Sequence, residues 1–268
     1  MIKKEFKILT RYPLNFIGGF IQVFFLILMF LYSMLPFSAG SEGIPGSESL
    51  LWGSMFFFFV SDALWAIGTS VRWEQVSGTL EQLYLTPSKQ WLILLARGLR
   101  SYLIDLPLVL WLLLVVYLVT GYFEAANPLL GIYILVLSLI GLTGLGYAYA
   151  GAVLALKRTA NLFTNMFQFI LLIFCAMFFP FRALPKSILT VSKLIPISYM
   201  VDSFRSIMTG ESPELINANI RLIGFNLKPL YFELLIVHLM ALILPIAGFK
   251  LYNWMIEKAL KEGTLGQY

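Results

Sequence analysis

Charged residues are scarce in this chain, and their scarcity limits the kind of protein it can be. Only 12% of the 268 residues are Asp, Glu, Lys or Arg, whereas 59% are hydrophobic, and the mean hydropathy is +0.84. Soluble domains carry about twice that share of charged residues, so an ordinary soluble fold is excluded. The composition predicts a multi-pass protein of the lipid bilayer. Basic residues that flank apolar runs explain the net charge of +5, so nucleic acid is not implied.

Cysteine and histidine each occur once, which limits the chemistry available to the chain. Cys175 cannot form an internal disulfide or a thiolate metal cluster. His238 lacks the companion ligands of a hydrolytic metal site, and we interpret it as a packed or hydrogen-bonded histidine within an apolar run. A phosphate-binding G-x-x-x-x-G-K-[ST] loop is also absent. The chain is therefore expected to have no catalytic residues, no metal and no ATPase activity of its own.

Six apolar runs predict the membrane spans. A helix needs about 20 apolar residues to cross the hydrocarbon core, and the runs cover residues 14–36, 50–71, 95–119, 128–156, 161–180 and 230–254. Residues 1–13 place basic and apolar side chains on opposite faces, which predicts a helix lying in the headgroup layer. Prolines and charges interrupt the apolar residues 181–229, which predicts an external segment of re-entrant helices. The expected fold is an all-α membrane protein with one transmembrane domain.

The distribution of basic residues predicts the orientation of these spans. Most of the nineteen Lys and Arg residues fall in segments on one side, including the N-terminal segment, residues 72–89 and the C-terminal tail. Positively charged segments remain in the cytosol. Both termini are therefore predicted to be cytosolic, in a protein of the cell membrane with an even number of spans.

The longest polar interruption, residues 72–89, reads RWEQVSGTLEQLYLTPSK. Helical spacing gives it one apolar face and one acidic face: Val76, Leu80 and Leu83, and Glu74, Gly78 and Glu81. The segment is predicted to be a short cytosolic helix that ends at Thr86 and Pro87, because proline disfavours helical geometry in the residue before it. A glycine within a helix costs about 1 kcal/mol relative to alanine. Gly78 therefore indicates either a break or a close approach of another backbone.

This segment resembles the signature of type-2 ABC exporter permeases, an E-x-x-x-G-T-L-E-x-L-x-x-T-P run between the second and third spans. All its fixed positions are present: Glu74, Gly78, Thr79, Leu80, Glu81, Leu83, Thr86 and Pro87. In that family the run is the coupling helix, which docks into a groove on a separate ATPase subunit. The resemblance implies that Glu74 and Glu81 meet basic residues of the ATPase. It also implies that Gly78 permits close approach, while Leu80 and Leu83 enter an apolar pocket.

The chain also resembles this family in the segment before the last span. The family's Leu-Pro, Pro-x-x-Tyr and Asp-x-x-Arg elements correspond to positions in the re-entrant segment: Pro185, Pro196, Tyr199, Asp202 and Arg205. The resemblance implies a permease that pairs with a second copy of itself or a related permease. ATP and Mg²⁺ are then bound by the ATPase partner rather than by this chain. The implied substrate is an amphipathic drug, a lipid or a lipid-linked glycan.

A second interpretation rests on ionisable residues within apolar runs, which are costly in a bilayer unless they face protein or water. Asp62, Asp105, Glu233 and His238 could serve an ATP-independent channel or a proton-coupled secondary transporter. The structural alternative places Asp105 near the inner boundary beside Arg97 or Arg100, and Glu233 at a helix start near the outer boundary.

Some polar and aromatic residues are candidates for a transport path or a dimer interface: Asp62, Phe56, Phe59, Phe167 and Phe174. Packing within the protein or against lipid is the alternative for the aromatic residues. Several glycines fall in the fourth apolar run: Gly141, Gly144, Gly146 and Gly151. Because small residues let membrane helices approach closely, these glycines indicate helix packing rather than a nucleotide-binding loop.

Overall fold

The computed structural model describes residues 13–34, 47–79, 90–121, 125–156, 159–216, 220–222 and 225–262. Its helices in chain order are α1 (Pro13–Met34), α2 (Ser47–Asp62), α3 (Ser70–Val76), α4 (Gln90–Thr120), α5 (Pro128–Leu156), α6 (Ala160–Phe174), α7 (Lys186–Ser192), α8 (Pro196–Thr209) and α9 (Pro229–Lys261). A π-helical segment, Ala63–Gly68, connects α2 to α3. Two short antiparallel strands, β1 (Ile220–Leu222) and β2 (Phe225–Leu227), precede α9 and pair Ile220 with Leu227.

Four stretches are long and apolar enough to span a membrane: Leu50–Val76, Leu92–Leu118, Pro128–Leu154 and Pro229–Lys261. Two shorter apolar helices, Ile17–Phe30 and Ala160–Phe174, fall within the predicted first and fifth spans. The protein is thus an all-α membrane protein apart from the small hairpin, as predicted. A total of six spans stays a prediction, as does the interface helix, because residues 1–12 lie outside the described part of the chain.

The predicted helix over residues 72–89 is helical only up to Val76 in its described part, and its continuation through Gly78 is wrong. The second span continues through the π-helical segment into α3 and ends at Val76, rather than at residue 71. Gly78 has φ +68°, which a continuing right-handed helix excludes. The Gly78 N–H donates to the Gln75 carbonyl and the Thr79 N–H donates to the Glu74 carbonyl. These two bonds form a Schellman cap, so Gly78 ends the helix and the break interpretation is confirmed.

The tightest helix contact joins α5 to α9. A Cβ atom added at Gly144 would overlap the backbone of Leu244 and Pro245, and one added at Gly248 would overlap the Gly144 carbonyl. Gly151 also lies close to the backbone of Tyr252, where an added Cβ would be 3.1 Å from the Tyr252 Cα. The packing role predicted for the glycines of the fourth run is therefore confirmed: Gly144, Gly146 and Gly151 each lie against the backbone of another helical segment, and Gly141 lies against the Met200 side chain.

The segment before α9 lies inside the protein to a greater extent than predicted. Every residue of α8 from Ile197 to Met208 is buried, where re-entrant helices dipping partly into the bilayer were expected. The α8 helix packs against α2, α5 and α9. Two of its charged residues have partners within the chain, since Asp202 accepts a hydrogen bond from the Leu215 N–H and Arg205 donates one to the Ala176 carbonyl, and such bonds offset part of the cost of burial. By contrast, most of α7 is exposed or only partly buried.

Candidate functional site

The end of the second span is linked to the third span by an ion pair and a hydrogen bond. The Arg97 guanidinium in α4 forms an ion pair with Glu74 in α3, and it also donates a hydrogen bond to the Ser70 hydroxyl at 3.1 Å. Only 10% of the Arg97 side chain and 24% of the Glu74 side chain are exposed. Charge-assisted hydrogen bonds of this kind are the strong ones, particularly where water is partly excluded. The start of the polar segment therefore has a fixed position relative to two spans.

Thr79 is exposed at the tip of the capped end, one residue beyond Gly78. The remaining members of the signature lie outside the described residues: Leu80, Glu81, Leu83, Thr86 and Pro87. The described contact of Glu74 is with Arg97 of the same chain, so its expected meeting with an ATPase stays a prediction. Arg97 itself was missed in this role. Only its position within an apolar run, where an unpaired cation is costly, could have indicated that it has a partner.

Two carboxyl groups meet in the middle of the membrane-spanning region. Asp62 at the end of α2 lies within hydrogen-bonding reach of Asp105 and Ser101 of α4. The structural alternative that placed Asp105 near the inner boundary, beside Arg97 or Arg100, is wrong about its depth, because α4 begins at Gln90 and Asp105 lies halfway along it. Within the described ranges, no lysine or arginine forms an ion pair with either carboxyl. The pair is therefore a partly buried acidic site between the second span and α4.

A groove opens beside this acidic pair, between α4 and α5. It has a volume of about 1030 Å³, and its walls and floor are almost wholly apolar. Its walls include Leu99, Leu106 and Leu110 of α4 and Ile132, Val136 and Ile140 of α5. Met55 and Phe59 of α2 and Phe204 of α8 form the floor. A cavity of this size accommodates a small amphipathic molecule.

The candidate aromatic residues fall in different environments. Phe56 is fully buried, with its ring centroid 5.2 Å from that of Phe204. Phe59 lines the groove, and its ring meets Tyr102 edge-on at 5.8 Å. Phe167 is half-buried and stacks parallel to Tyr149 at 6.4 Å. Phe174 is half-buried at the end of α6. Only Phe59 therefore lies at the described groove.

A second group of buried charges joins α8 to its surroundings. Asp202 accepts a hydrogen bond from the Leu215 N–H at 2.6 Å, and Arg205 donates to the Ala176 carbonyl at 2.8 Å. Burial raises the pKa of the Asp202 carboxyl, while Arg205 and the Leu215 N–H act in the opposite direction. Glu233 is the fifth residue of α9, close to the helix start as expected, and it is fully buried beside Asp202.

The other predicted residues of this segment have structural contacts. Pro185 precedes α7, and Pro196 is the first residue of α8, where its missing N–H is not needed. The Tyr199 hydroxyl donates to the Lys193 carbonyl at 2.7 Å, which closes the turn between these helices. His238 lies 2.7 Å from the Tyr133 hydroxyl, which confirms its interpretation as a hydrogen-bonded histidine.

Comparison with known proteins identifies the family. A search of the curated proteins returned no match. The family model described as "ABC-2 type transporter" matches residues 1–209 of the 268. The matched residues include the polar segment with its Schellman cap, the acidic pair, the groove and all of α8. The chain therefore belongs to the ABC-2 type transporter family, as an ABC permease subunit.

Proposed function

We propose that this permease is the membrane subunit of an ATP-driven exporter and acts as a dimer. In this proposal residues 72–89 dock onto separate ATPase subunits, which bind ATP and Mg²⁺. Both termini are then cytosolic, in accord with the distribution of basic residues. The exported substrate belongs to the amphipathic drugs, lipids and lipid-linked glycans.

The main support for the proposal is that the start of the polar segment is linked to two spans: it continues the second span, and Glu74 forms an ion pair with Arg97 of the third. Leu50–Val76 is one continuous helical stretch, so displacement of its capped end moves the whole second span. The Glu74–Arg97 ion pair transmits the same displacement to α4. These two spans provide both carboxyls of the acidic pair and many of the residues that line the groove. Closure of an ATPase pair against residues 72–89 would therefore move the interior of the permease.

The acidic pair supports a second candidate function. Asp62 and Asp105, with no described basic partner, could bind a proton or a cation in an ATP-independent channel or a proton-coupled transporter. Such a carrier needs no docking segment for an ATPase. Association with an ATPase therefore discriminates between the two functions.

Cross-linking tests the proposed docking and orientation together. In a Cys175→Ser background, a cysteine replacing the exposed Thr79 is expected to cross-link to a P-loop ATPase that co-purifies from the native host. A cysteine replacing Asn127, exposed before α5 at the opposite ends of the spans, is the matched control and should give no such product. Mass spectrometry of the cross-linked band identifies the partner. Cross-linking at residue 127 but not 79, or transport by a pH gradient without an ATPase, would contradict the proposal.

Charge reversal tests transmission through the ion pair. Glu74→Arg and Arg97→Glu should each lower ATP hydrolysis by the co-purified complex, because each leaves two like charges in contact at a cost of about 1.5 kcal/mol. The double variant restores opposite charges and should recover most of the activity. The matched control exchanges Lys258 and Glu262, an exposed pair separated by 4.0 Å, and should have no effect. Equal losses of ATP hydrolysis in the single and double variants would show that the ion pair does not transmit movement between the spans.

A further inference from the structure

The groove and the acidic pair are neighbours, and Tyr102 joins them. The Tyr102 ring lines the groove and packs edge-on against Phe59, and Tyr102 lies about one helical turn before Asp105 on α4, so the two side chains are neighbours on that helix. Only 7% of the Tyr102 surface is exposed, and its hydroxyl has no hydrogen-bond partner among the described residues. A buried hydroxyl without a partner is costly. It is therefore poised to contact a ligand at the junction of groove and carboxyls.

Neither carboxyl forms an ion pair with a lysine or arginine in the part of the chain that the structure describes. One Asp62 oxygen, Oδ2, is buried without a hydrogen-bond partner in the described part of the chain. The Arg97 guanidinium, on the same helix as Asp105, is occupied by Glu74 and Ser70. Two adjacent carboxyls repel each other when both are ionised, so a positive charge placed beside them is favoured. The site thus attracts a cation.

The depth of the site restricts what kind of cation can reach it. Asp62 and Asp105 lie near the middle of their spans, whereas the headgroup of a bilayer phospholipid remains at the interface. A lipid tail could fill the groove but would leave the carboxyls unpaired. A strongly hydrated ion would find almost no polar lining in the groove. A weakly hydrated positive charge surrounded by apolar groups suits both the carboxyl pair and the apolar groove. The rings of Phe59 and Tyr102 favour such a cation further.

We propose that the groove between α4 and α5 binds a lipophilic cation, with its charge beside Asp62, Asp105 and the Tyr102 hydroxyl and its apolar groups in the groove. The inference rests on the proposed exporter function for the identification of this ligand as a substrate. Binding itself requires no ATPase. Of the substrate classes considered, amphipathic drugs that carry a delocalised or tertiary positive charge fit this site.

The test compares two ions of the same shape and opposite charge. The full chain is placed in lipid nanodiscs, and equilibrium binding of radiolabelled tetraphenylphosphonium and tetraphenylborate is measured. We expect saturable binding of the cation alone. Combined Asp62→Asn and Asp105→Asn substitutions should weaken it by about tenfold or more, as for a hydrogen-bonded charge. Glu257→Gln, which removes an exposed carboxyl of α9, is the matched control and should bind normally.

Further variants separate a binding defect from a folding defect. Asp105→Glu retains both charges and should keep most of the affinity. Tyr102→Phe retains the ring and should weaken cation binding by about threefold. Val136→Trp fills the groove and should abolish binding. Each variant is first checked for a single symmetric peak in size-exclusion chromatography.

Several results would overturn the inference. They are equal binding of the two ions, absence of saturable cation binding, or unchanged cation affinity in the folded asparagine double variant. A phospholipid that co-purifies with the chain and is not displaced by tetraphenylphosphonium would show that lipid occupies the groove instead. These outcomes leave the ATPase cross-link at residue 79 unaffected. Loss of that cross-link alone would contradict the exporter function but not the binding site.

Discussion

Gly78→Val is expected to abolish most ATP hydrolysis by the co-purified complex while leaving the permease inserted in the membrane. Gly78 has φ +68°, a conformation that costs an L-residue about 2 kcal/mol and a β-branched residue more. A penalty of 2 kcal/mol lowers the population of the capped end by about thirtyfold. The hydrogen bond from the Thr79 N–H to the Glu74 carbonyl is then lost. The docking segment would leave the second span in a different direction.

Gly121→Val is the matched control for this substitution. Gly121 has φ +67° and is also exposed at a helix end, but it follows α4 at the side of the protein opposite Gly78. An added Cβ would contact nothing within 4 Å there. The two variants therefore carry similar backbone strain, and only Gly78→Val should impair hydrolysis and recovery of the ATPase. Gly78→Asn should retain much of the function, since asparagine tolerates this conformation. Equal activity of the two valine variants would refute the coupling role of the cap.

Gly144→Leu is expected to prevent stable folding of the permease. Any side chain at this position must displace the backbone of Leu244 and Pro245 in α9, and backbone yields far less readily than the end of a flexible side chain. Overpacking a well-packed contact costs about 3 kcal/mol, and here it separates the two most closely packed helices. Unfolding temperature in detergent, followed by size-exclusion chromatography, measures the effect. Gly144→Ala should give a smaller decrease of the same sign.

Gly18→Leu provides the control for the glycine contact. An added Cβ at Gly18 in α1 meets nothing within 4 Å. Both variants introduce the same apolar side chain into an apolar helix, so differences in membrane insertion are matched. Gly18→Leu should unfold at the temperature of the wild type. If Gly144→Leu does the same, then α5 and α9 do not form the close contact described.

The polar segment, residues 72–89, illustrates where the sequence-based prediction and the structure differ. Periodicity predicted a helix through Gly78 because Val76 and Leu80 are spaced as on one face. The structure ends the helix at Val76, since the Schellman cap satisfies the last carbonyls once glycine adopts a left-handed conformation. Sequence alone identified the residue that decides the question. It left open which of its two possible uses applies.

The sequence by itself determined the class of fold, the approximate bounds of four spans, the family signature and the role of the glycines in the fourth run. These are properties of consecutive residues: a bilayer requires long apolar helices whose backbone bonds are internal, and glycine permits close packing wherever it occurs. Tertiary structure alone decided that Asp62 meets Asp105, that Arg97 pairs with Glu74 and that Glu233 lies beside Asp202. It also decided that α4 and α5 enclose a groove. Such contacts depend on the rotation and tilt of each helix, which are set by packing against its neighbours rather than by its own hydrophobic pattern.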